Sequence, residues 1–587
     1  MPDPQLALTA RVQEALTAAF GPSYADTDPV IRPSQFADLQ ANVAMSLVKP
    51  LTAERGEKQN PRDIANEIAE RIDKGDLIDK VEVSGPGFIN LTLRDGWIAA
   101  QADGVLADPR LGVPAATDPQ RVVVEYSSPN VAKEMHVGHL RTTIVGDSIG
   151  RILEFLGHDV IRDNHVGDWG TPFGMLIEHL LDLGEDKAAD DDASVSDLTA
   201  FYQAARTKFD GDEEFAGRSR QRVVSLQAGD AETMRLWQVL VDVSKRYFNT
   251  VYGRLGVTLG DEHIKGESFY NDLLAPTVQE LESKGIAVVS DGALCAFPPG
   301  FTGREGEPLP VIIRKSDGGY NYSTTDLATI RYRVDTEHVN RMIYVVGAPQ
   351  ALHFQMVFAV ARMAGWLNDD VRAEHAQIGN VLGTDGKILR TRAGGTVKLA
   401  ELLDEAVERA GRAYDDVNPD DSAGPAARAE IAEAVGIGAV KYADLSVARD
   451  SEYIFDFDRM ISFKGNTGPY LQYAVARIHS IFRKGGVTPA DATAPITITE
   501  PAERALALQL LSFGPVLEQA GETAEPHKLA SYVFAVADAF TTFFESCPVL
   551  KAPDEETKQS RLSLCAATLR TMTTGLDLLG VPTLERM

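Results

Sequence analysis

The chain reads as α/β: a nucleotide-binding core of parallel strands, preceded by a small α/β domain and followed by an all-α bundle. Three observations predict this. A β-branched run, Arg121-Val-Val-Val-Glu-Tyr126, leads into a helical apolar pattern and a second strand. A like succession of strand, helix and strand recurs from Arg341 to Val381. Over the last ~130 residues apolar side chains keep a helical period almost unbroken, as in a helix bundle.

Taken in order, helical patterns cover Leu6 to Phe20 and Asn60 to Ile72, and short strands fit Lys80 to Val83 and Phe88 to Leu93. Ala107 to Gln120 holds three prolines and no apolar periodicity, which marks a linker. Domain boundaries are therefore expected at 1–115 for the first unit and 116–400 for the core. After the strand at Arg121, Leu140, Ile144, Val145, Ile149, Ile152, Leu153 and Leu156 recur at helical spacing until Gly157, a C′ glycine. Asp159 to Arg162 resumes as strand. This is a Rossmann-type unit, whose crevice lies at the C-terminal strand ends. The polar, helical segment 184–260 differs in character and reads as an insertion, with a short Asp-rich stretch at Asp190 to Asp192. The second half has a strand at Arg341 to Val346, a helix from Ala348 to Ala364 and a strand at His375 to Val381. A helical connection, 401–455, then leads to the bundle, 456–587.

Composition narrows the function. The 587 residues carry 57 Lys plus Arg against 85 Asp plus Glu, a net charge of −28, with 44% hydrophobic and 24% charged residues. These fractions exclude a disordered or fibrous chain. No apolar run reaches the ~18 residues of a membrane span, and the start has no basic-then-apolar leader, so a cytoplasmic protein with no membrane partner is expected. Cys295, Cys547 and Cys565 are far apart, which argues against disulfides and a zinc knuckle. The acidity is segregated. Arg459 to Gly486, with Arg459, Lys464, Arg477, Arg483 and Lys484, contains no acid, nor does Gly386 to Leu399, with Lys387, Arg390, Arg392 and Lys398. Acids concentrate instead in Leu181 to Ala200 and Glu401 to Asp421, which leaves polyanion binding open.

The loop after the first strand carries the chemistry: Ser127-Ser-Pro-Asn-Val-Ala-Lys-Glu-Met-His-Val-Gly-His139. Two histidines three apart at a helix start share a face, and the helix N-terminus adds partial positive charge toward an anion. Gly138 lets a ring or a phosphate approach the backbone. Lys133 adds a point charge, so the loop suits a triphosphate. A capping or core role for His136 and His139 is the plain alternative.

This loop resembles the HIGH signature of class I aminoacyl-tRNA synthetases, and the run from Glu125 through Gly167-Asp168-Trp169-Gly170 resembles the bacterial arginyl family. Val311-Ile312-Ile313, Lys315, Asp317-Gly318-Gly319-Tyr320, Arg392 to Leu399 and Val435 to Leu445 extend the resemblance along the chain. The family's second loop, KMSKS, matches Lys387-Ile-Leu-Arg-Thr391, with Arg390 in place of the second lysine. Gly383, Gly386, Gly394 and Gly395 suit a lid. The resemblance implies a catalytic set of Lys133, His136, His139, Lys387 and Arg390. It implies ATP binding along Ser127, Pro129, Asn130, Val131, Ala132, Lys133, Glu134, Met135, His136, Val137, Gly138 and His139, with Lys387 and Arg390.

A guanidinium forks onto carboxylate oxygens, so an arginine pocket needs acids at strand ends. Glu125 and Asp326 are the acids that match the family's ligands, with Asn130, Tyr322 and Gln350. Pairing of Glu125 with a core cation, capping by Asp326 and packing of Tyr322 are the structural alternatives. For tRNA, Tyr470, Tyr473 and Arg477 interleave aromatics with a cation, a pattern suited to stacked bases. The resemblance adds Met587 near the anticodon, and Phe88 and Asn90 in the first domain at the tRNA elbow.

The expected reaction is ATP-dependent formation of arginyl-adenylate, then transfer to the 2′-hydroxyl of the terminal adenosine of tRNA(Arg). The expected partners are L-arginine, ATP with Mg²⁺ and tRNA(Arg), with no zinc, no DNA, no editing site in the insertion, and a monomeric state. Another class I synthetase or adenylyl transferase, and a non-catalytic RNA-binding paralogue, are the rivals.

Overall fold

The computed structural model describes residues 3–184, 198–390, 396–417 and 424–587. Asp190 to Asp192, Arg392, Gly394, Gly395, Asp420 and Asp421 lie outside the described residues.

Helix α1 (Pro4–Phe20) starts where Asp3 accepts a hydrogen bond from the Gln5 amide, with Pro4 in the first turn. Helix α3 (Pro61–Ala69) packs against an antiparallel sheet of β1 (Ile31–Pro33), β2 (Leu39–Ala41), β3 (Ile78–Ser84) and β4 (Phe88–Leu93), in the order β1-β2-β4-β3, and α2 (Ala44–Arg55) packs on α3. The sequence reading missed α2 because Pro50 inside it reads as a breaker, and missed β1 and β2 because three residues show no alternation. Helix α4 (Asp95–Ala107) leads into the linker.

The central sheet is parallel, ordered β11-β10-β5-β6, from β5 (Arg121–Glu125), β6 (Asp159–Asp163), β10 (Arg341–Gly347) and β11 (Arg372–Ile378). Helix α5 (Val137–Phe155) joins β5 to β6. From β5 the chain steps outward to β6, and from β10 outward to β11, so the topological switch point lies between β5 and β10. In register, Glu125 sits opposite Tyr344 on one side and Asp163 on the other. Both faces are covered: Val122 and Val124 join one hydrophobic core, Val123 a second one with Leu327, Tyr344 and Phe354.

The expected strand at His375 to Val381 is displaced. Pairing with β10 begins at Arg372, and Gly379 ends it, where an added Cβ would meet the Ser451 carbonyl oxygen at 2.5 Å. Between β6 and β10 come α6 (Pro172–Leu183), then α7 (Leu198–Gly211), α8 (Glu213–Gln227) and α9 (Ala231–Leu255) of the insertion. The helix α10 (Asn271–Ser283), an antiparallel sheet of β7 (Ala287–Ser290), β8 (Ala293–Ala296) and β9 (Val311–Arg314), and α11 (Tyr322–Asp335) follow. Helix α12 (Ala351–Met363) follows β10 after a tight turn at Ala348–Gln350. Short β12 (Val381–Leu382) pairs with β13 (Tyr453–Ile454).

Beyond them, α13 (Leu399–Val417), α14 (Pro425–Leu445) and α15 (Phe457–Met460) connect to the bundle of α16 (Gly468–Gly485), α17 (Pro501–Leu510), α18 (Phe513–Thr523), α19 (His527–Ser546) and α20 (Glu555–Leu578). The bundle is docked on the core: Ser148 donates to the Leu578 carbonyl at 2.9 Å, and Arg341 to that of Gly521 at 3.0 Å. Among the described residues no helix is long and apolar enough to cross a membrane. All three cysteines are buried and unpaired.

Candidate active site

The loop from Ser127 to His136 leaves β5 through backbone shapes that L-residues avoid. Ser127, Ser128 and Ala132 all have positive φ, at 72°, 48° and 59°. Tethers hold it there: the Ser128 amide donates to Asn164 Oδ1, Val131 to the Gly167 carbonyl and Ala132 to Ser244 Oγ, all within 3.0 Å. Ser244 belongs to α9, as does Tyr252, whose hydroxyl pairs with Ser127 Oγ at 2.8 Å. The insertion is thus a wall of this loop.

Both histidines cap α5. His136 Nδ1 accepts from the Gly138 amide and His139 Nδ1 from the His136 amide, each at 3.1 Å. With Nδ1 accepting, the proton of each neutral ring sits on Nε2, leaving that N–H as a donor. Burial is the main cause that lowers both pKa values; Lys133 adds to it for His136, and His136 for His139, which falls to about 3. At neutral pH the pair are therefore uncharged donors rather than cations. The rings lie 4.0 Å apart and are half-buried. Gly138 has a different reason from the expected one, since an added Cβ would lie 2.8 Å from His136 Cε1: the ring itself fills that space.

The run 127–139 divides into residues that face out and residues that hold the loop. Asn130, Lys133 and Gly138 are exposed. Pro129, Val131, Ala132, Met135 and Val137 are buried, the Ser127 hydroxyl is spent on Tyr252 and Thr143, and Glu134 is paired with Lys398 at 2.8 Å. These seven side chains are used within the protein, so the run offers side chains outward only at Asn130 and Lys133, with Gly138 open at the backbone. Lys133 Nζ rests 4.3 Å above the ring of Tyr202 in α7.

The second loop turns tightly after β12, with Gly386 at φ 73° and its amide donating to the Gly383 carbonyl at 2.9 Å. Lys387 and Arg390 are exposed on it. Its far end rejoins the first loop: the Val137 amide donates to the Val397 carbonyl at 3.0 Å, and Leu399 to that of Met135 at 2.9 Å.

Acids gather at the C-terminal ends of β5 and β6 and on α11. Glu125 is buried, and its Oε2 accepts from Arg333 Nη2 at 2.6 Å; the same nitrogen lies 3.1 Å from Asp163. Burial pushes the Glu125 carboxyl up, with Arg333 opposing. The core-cation alternative is therefore realised for one oxygen, while Oε1 makes no hydrogen bond among the described residues. Tyr322 and Asp326 stand one turn apart on α11, which Asn321 caps; Tyr322 is 65% exposed. Gln350 is exposed at the turn after β10. Burial is the main cause that pushes the Tyr344 hydroxyl up, with Glu125 and Asp326 adding to it and Arg333 opposing.

Two further residues went unseen in the sequence. His353 on α12 bonds Asp326 through Nε2 at 2.6 Å. Glu267 has its carboxyl pushed up to about 7 by burial, with Asp168 and Asp326 adding and His165 opposing. Asp168 is fixed by the amide and hydroxyl of Ser268 at 2.8 and 2.7 Å, while Gly266 lies so near it that a Cβ would clash. Nothing periodic marks Gly266-Glu267-Ser268, although the rule that sites gather after strand ends could have pointed to His353. Among the described residues no group of three or more His, Cys, Asp or Glu is arranged to hold a metal.

The RNA-facing assignments separate in the same way. Tyr473 is 38% exposed and carries Arg477 4.8 Å above its ring, with Phe544 as a second platform at 5.4 Å. Tyr470 turns inward, bonding Thr541 at 3.1 Å against Phe534. Met587 is half-buried against the bundle. Phe88 is half-buried, and Asn90 is 4% exposed with both ends of its amide used by Ser34 and Ser84, so it braces the domain rather than facing a ligand. The exposed aromatic beside it is Phe36, at 80%.

Three family models match the chain: the class I (R) tRNA synthetase catalytic domain over residues 101–457, the DALR anticodon binding domain over 471–587 and the arginyl-tRNA synthetase N-terminal domain over 6–93. An arginine–tRNA ligase of Thermobifida fusca is 63% identical over 587 residues, covering 100% of each chain. The arginyl-tRNA synthetase structure from Plasmodium falciparum superposes with a TM-score of 0.84 at 29% identity, covering 99% of both chains. That from Thermus thermophilus gives 0.79 at 26%, covering 99% of this chain and 100% of the other. With a catalytic-domain match over more than half its length and a relative this similar from end to end, the chain belongs to the class I arginyl-tRNA synthetases.

Proposed function

We propose that the crevice between β5 and β10 activates arginine on one wall with ATP held on the other, and that its parts divide the work as follows. The chain is an arginine–tRNA ligase. The arginine carboxylate, ionised at neutral pH, attacks the α-phosphorus of ATP, and the bond to pyrophosphate breaks. No general base is needed, so the protein's contribution is positioning and charge stabilisation. His136 and His139 donate Nε2–H bonds to the phosphate oxygens, and Lys133, Lys387 and Arg390 supply the positive charge that the neutral imidazoles do not. Magnesium arrives with the nucleotide phosphates as part of that substrate, and no zinc takes part. The 2′-hydroxyl of the terminal adenosine then attacks the adenylate carbonyl, loses its proton and releases AMP.

In this reading Asp326, Glu267 and the free oxygen of Glu125 receive the guanidinium, Asn130 and Gln350 hold the α-amino and carboxylate end, and Tyr322 closes the slot. The observation that carries it is the pair of half-used acids: Arg333 takes one oxygen of Glu125 and His353 one oxygen of Asp326, and the other oxygen of each is left as an acceptor for a planar, permanently charged guanidinium.

We assign residues 1–115 to the tRNA elbow, with Phe88 and the exposed Phe36 as the surface, and 456–587 to the anticodon, with Tyr473, Arg477 and Met587. Segments 116–400 and 401–455 are the catalytic core and its connection. The protein acts as a cytoplasmic monomer, without membrane or DNA partners. Pyrophosphate exchange measured with each amino acid, with and without tRNA(Arg), tests the whole. Exchange confined to arginine supports it, and exchange with another amino acid overturns it.

A further inference from the structure

Asp326 does not stand alone. His353, from the first turn of α12, sets its Nε2 2.6 Å from Asp326 Oδ2, and the two side chains are 20% and 21% exposed. A carboxylate oxygen only accepts, so the imidazole donates, and bonds to an ionised acceptor are the short, strong ones. The imidazole is itself wedged. The Tyr322 ring meets it edge-on at 4.9 Å and the Phe354 ring at 5.4 Å. Phe354 in turn packs 5.0 Å from Tyr344, the residue opposite Glu125 in the sheet. The position of the imidazole is therefore set by the core that also sets Glu125.

The carboxylate torsion of an aspartate is broad, so an unrestrained Asp326 would sample many planes. A bond to Oδ2 selects one plane and leaves Oδ1, which has no hydrogen bond among the described residues, for a ligand. Selecting one plane matters unequally to different cations. A guanidinium is a planar fork and needs the acid coplanar with it, whereas an ammonium is a point charge that gains about the same from any orientation.

We infer that His353 is the positioning residue that fixes the plane of the Asp326 carboxylate, and that preference for a guanidinium over an ammonium in this slot depends on it. This rests on Asp326 being a guanidinium ligand, as proposed above. His353 touches no reacting atom; it acts through the acid.

The full-length chain tests this with three substitutions, His353→Ala, His353→Asn and His353→Gln, in tRNA(Arg) aminoacylation. The readouts are KM for arginine, KM for ATP and the inhibition constant of L-lysine as competitor. A glutamine amide reaches about as far as Nε2, and an asparagine amide does not. His353→Ala and His353→Asn are expected to raise KM for arginine about tenfold while the ATP and lysine constants stay within about twofold, and His353→Gln to recover most of the loss. If the alanine variant melts well below the parent protein, the asparagine and glutamine pair decide the same comparison. A parallel rise of all three constants, no rise in any, or a glutamine variant no better than asparagine overturns the inference. Asp326→Asn in the same assays separates it from the reading beneath. An unchanged KM for arginine there removes Asp326 from the slot, whereas a large rise beside an inert His353 removes only His353.

Discussion

The proposed phosphate wall and the proposed guanidinium wall of the crevice are built on opposite plans. The first is backbone work. Three positive-φ residues, two ring nitrogens accepting main-chain N–H bonds and a handful of tethers fix a loop of 13 consecutive residues, 127–139. The second is side-chain work: Glu125, Asp163, Glu267, Asp326, Arg333 and His353 come from five separate segments, with Arg333 binding Glu125 and Asp163 and His353 binding Asp326. The first wall therefore tolerates an empty site cheaply, because its imidazoles are neutral. The second leaves one oxygen each of Glu125 and Asp326 unbonded among the described residues, and Arg333 compensates only Glu125 and Asp163.

The sharpest way to break this contrast is Arg333→Met. Leaving Glu125 and Asp163 buried without their cation should cost about 3–5 kcal/mol in a denaturant melt. A loss below about 1 kcal/mol would show that the acids do not depend on Arg333. Next in size, Asp326→Asn should raise KM for arginine about thirtyfold and KM for ATP by no more than about twofold, the loss of one charged hydrogen bond. Equal rises would merge the two walls.

On the phosphate side, His139→Ala should lower turnover at least about tenfold through one lost transition-state donor. Near-normal turnover would take His139 out of the site. The smallest effect is in pH. Because the Glu267 carboxyl is raised to about 7, its negative charge is lost as pH falls through that value, so KM for arginine should climb below pH 7. Glu267→Gln should flatten the profile; an unaltered climb would trace it to another group. The same raised value means that the folded state binds this proton more tightly than the unfolded chain. Glu267's contribution to stability is thus lost as pH rises from about 4.5 to about 7.

The plans also explain what could be read in the sequence. A contiguous motif on a strand-to-helix turn declares itself, and so do α5 and α12 by helical period and β5, β6 and β10 by their β-branched runs beside them. Helix α2 hid behind Pro50, and β11 was displaced by three residues because its limits depend on pairing with Arg341 and on contact of Gly379 with Ser451. Glu267 owes its character to burial and to neighbours about 59 and 99 residues away, which no local pattern reports. Tyr470 and Tyr473 show the limit of helical spacing. Three positions apart on α16 leaves them about 60° apart around the axis, enough for one to enter the bundle while the other stays in water.

Arg333 carries inside the wall the same head group that the slot has to recognise. With its positive charge sealed beneath the acids, the vacant protein avoids the mutual repulsion that a bare cluster of carboxylates would suffer. It also limits selection: each extra acid added to grip the substrate harder must be balanced internally, or the enzyme gains affinity by becoming less able to exist unliganded.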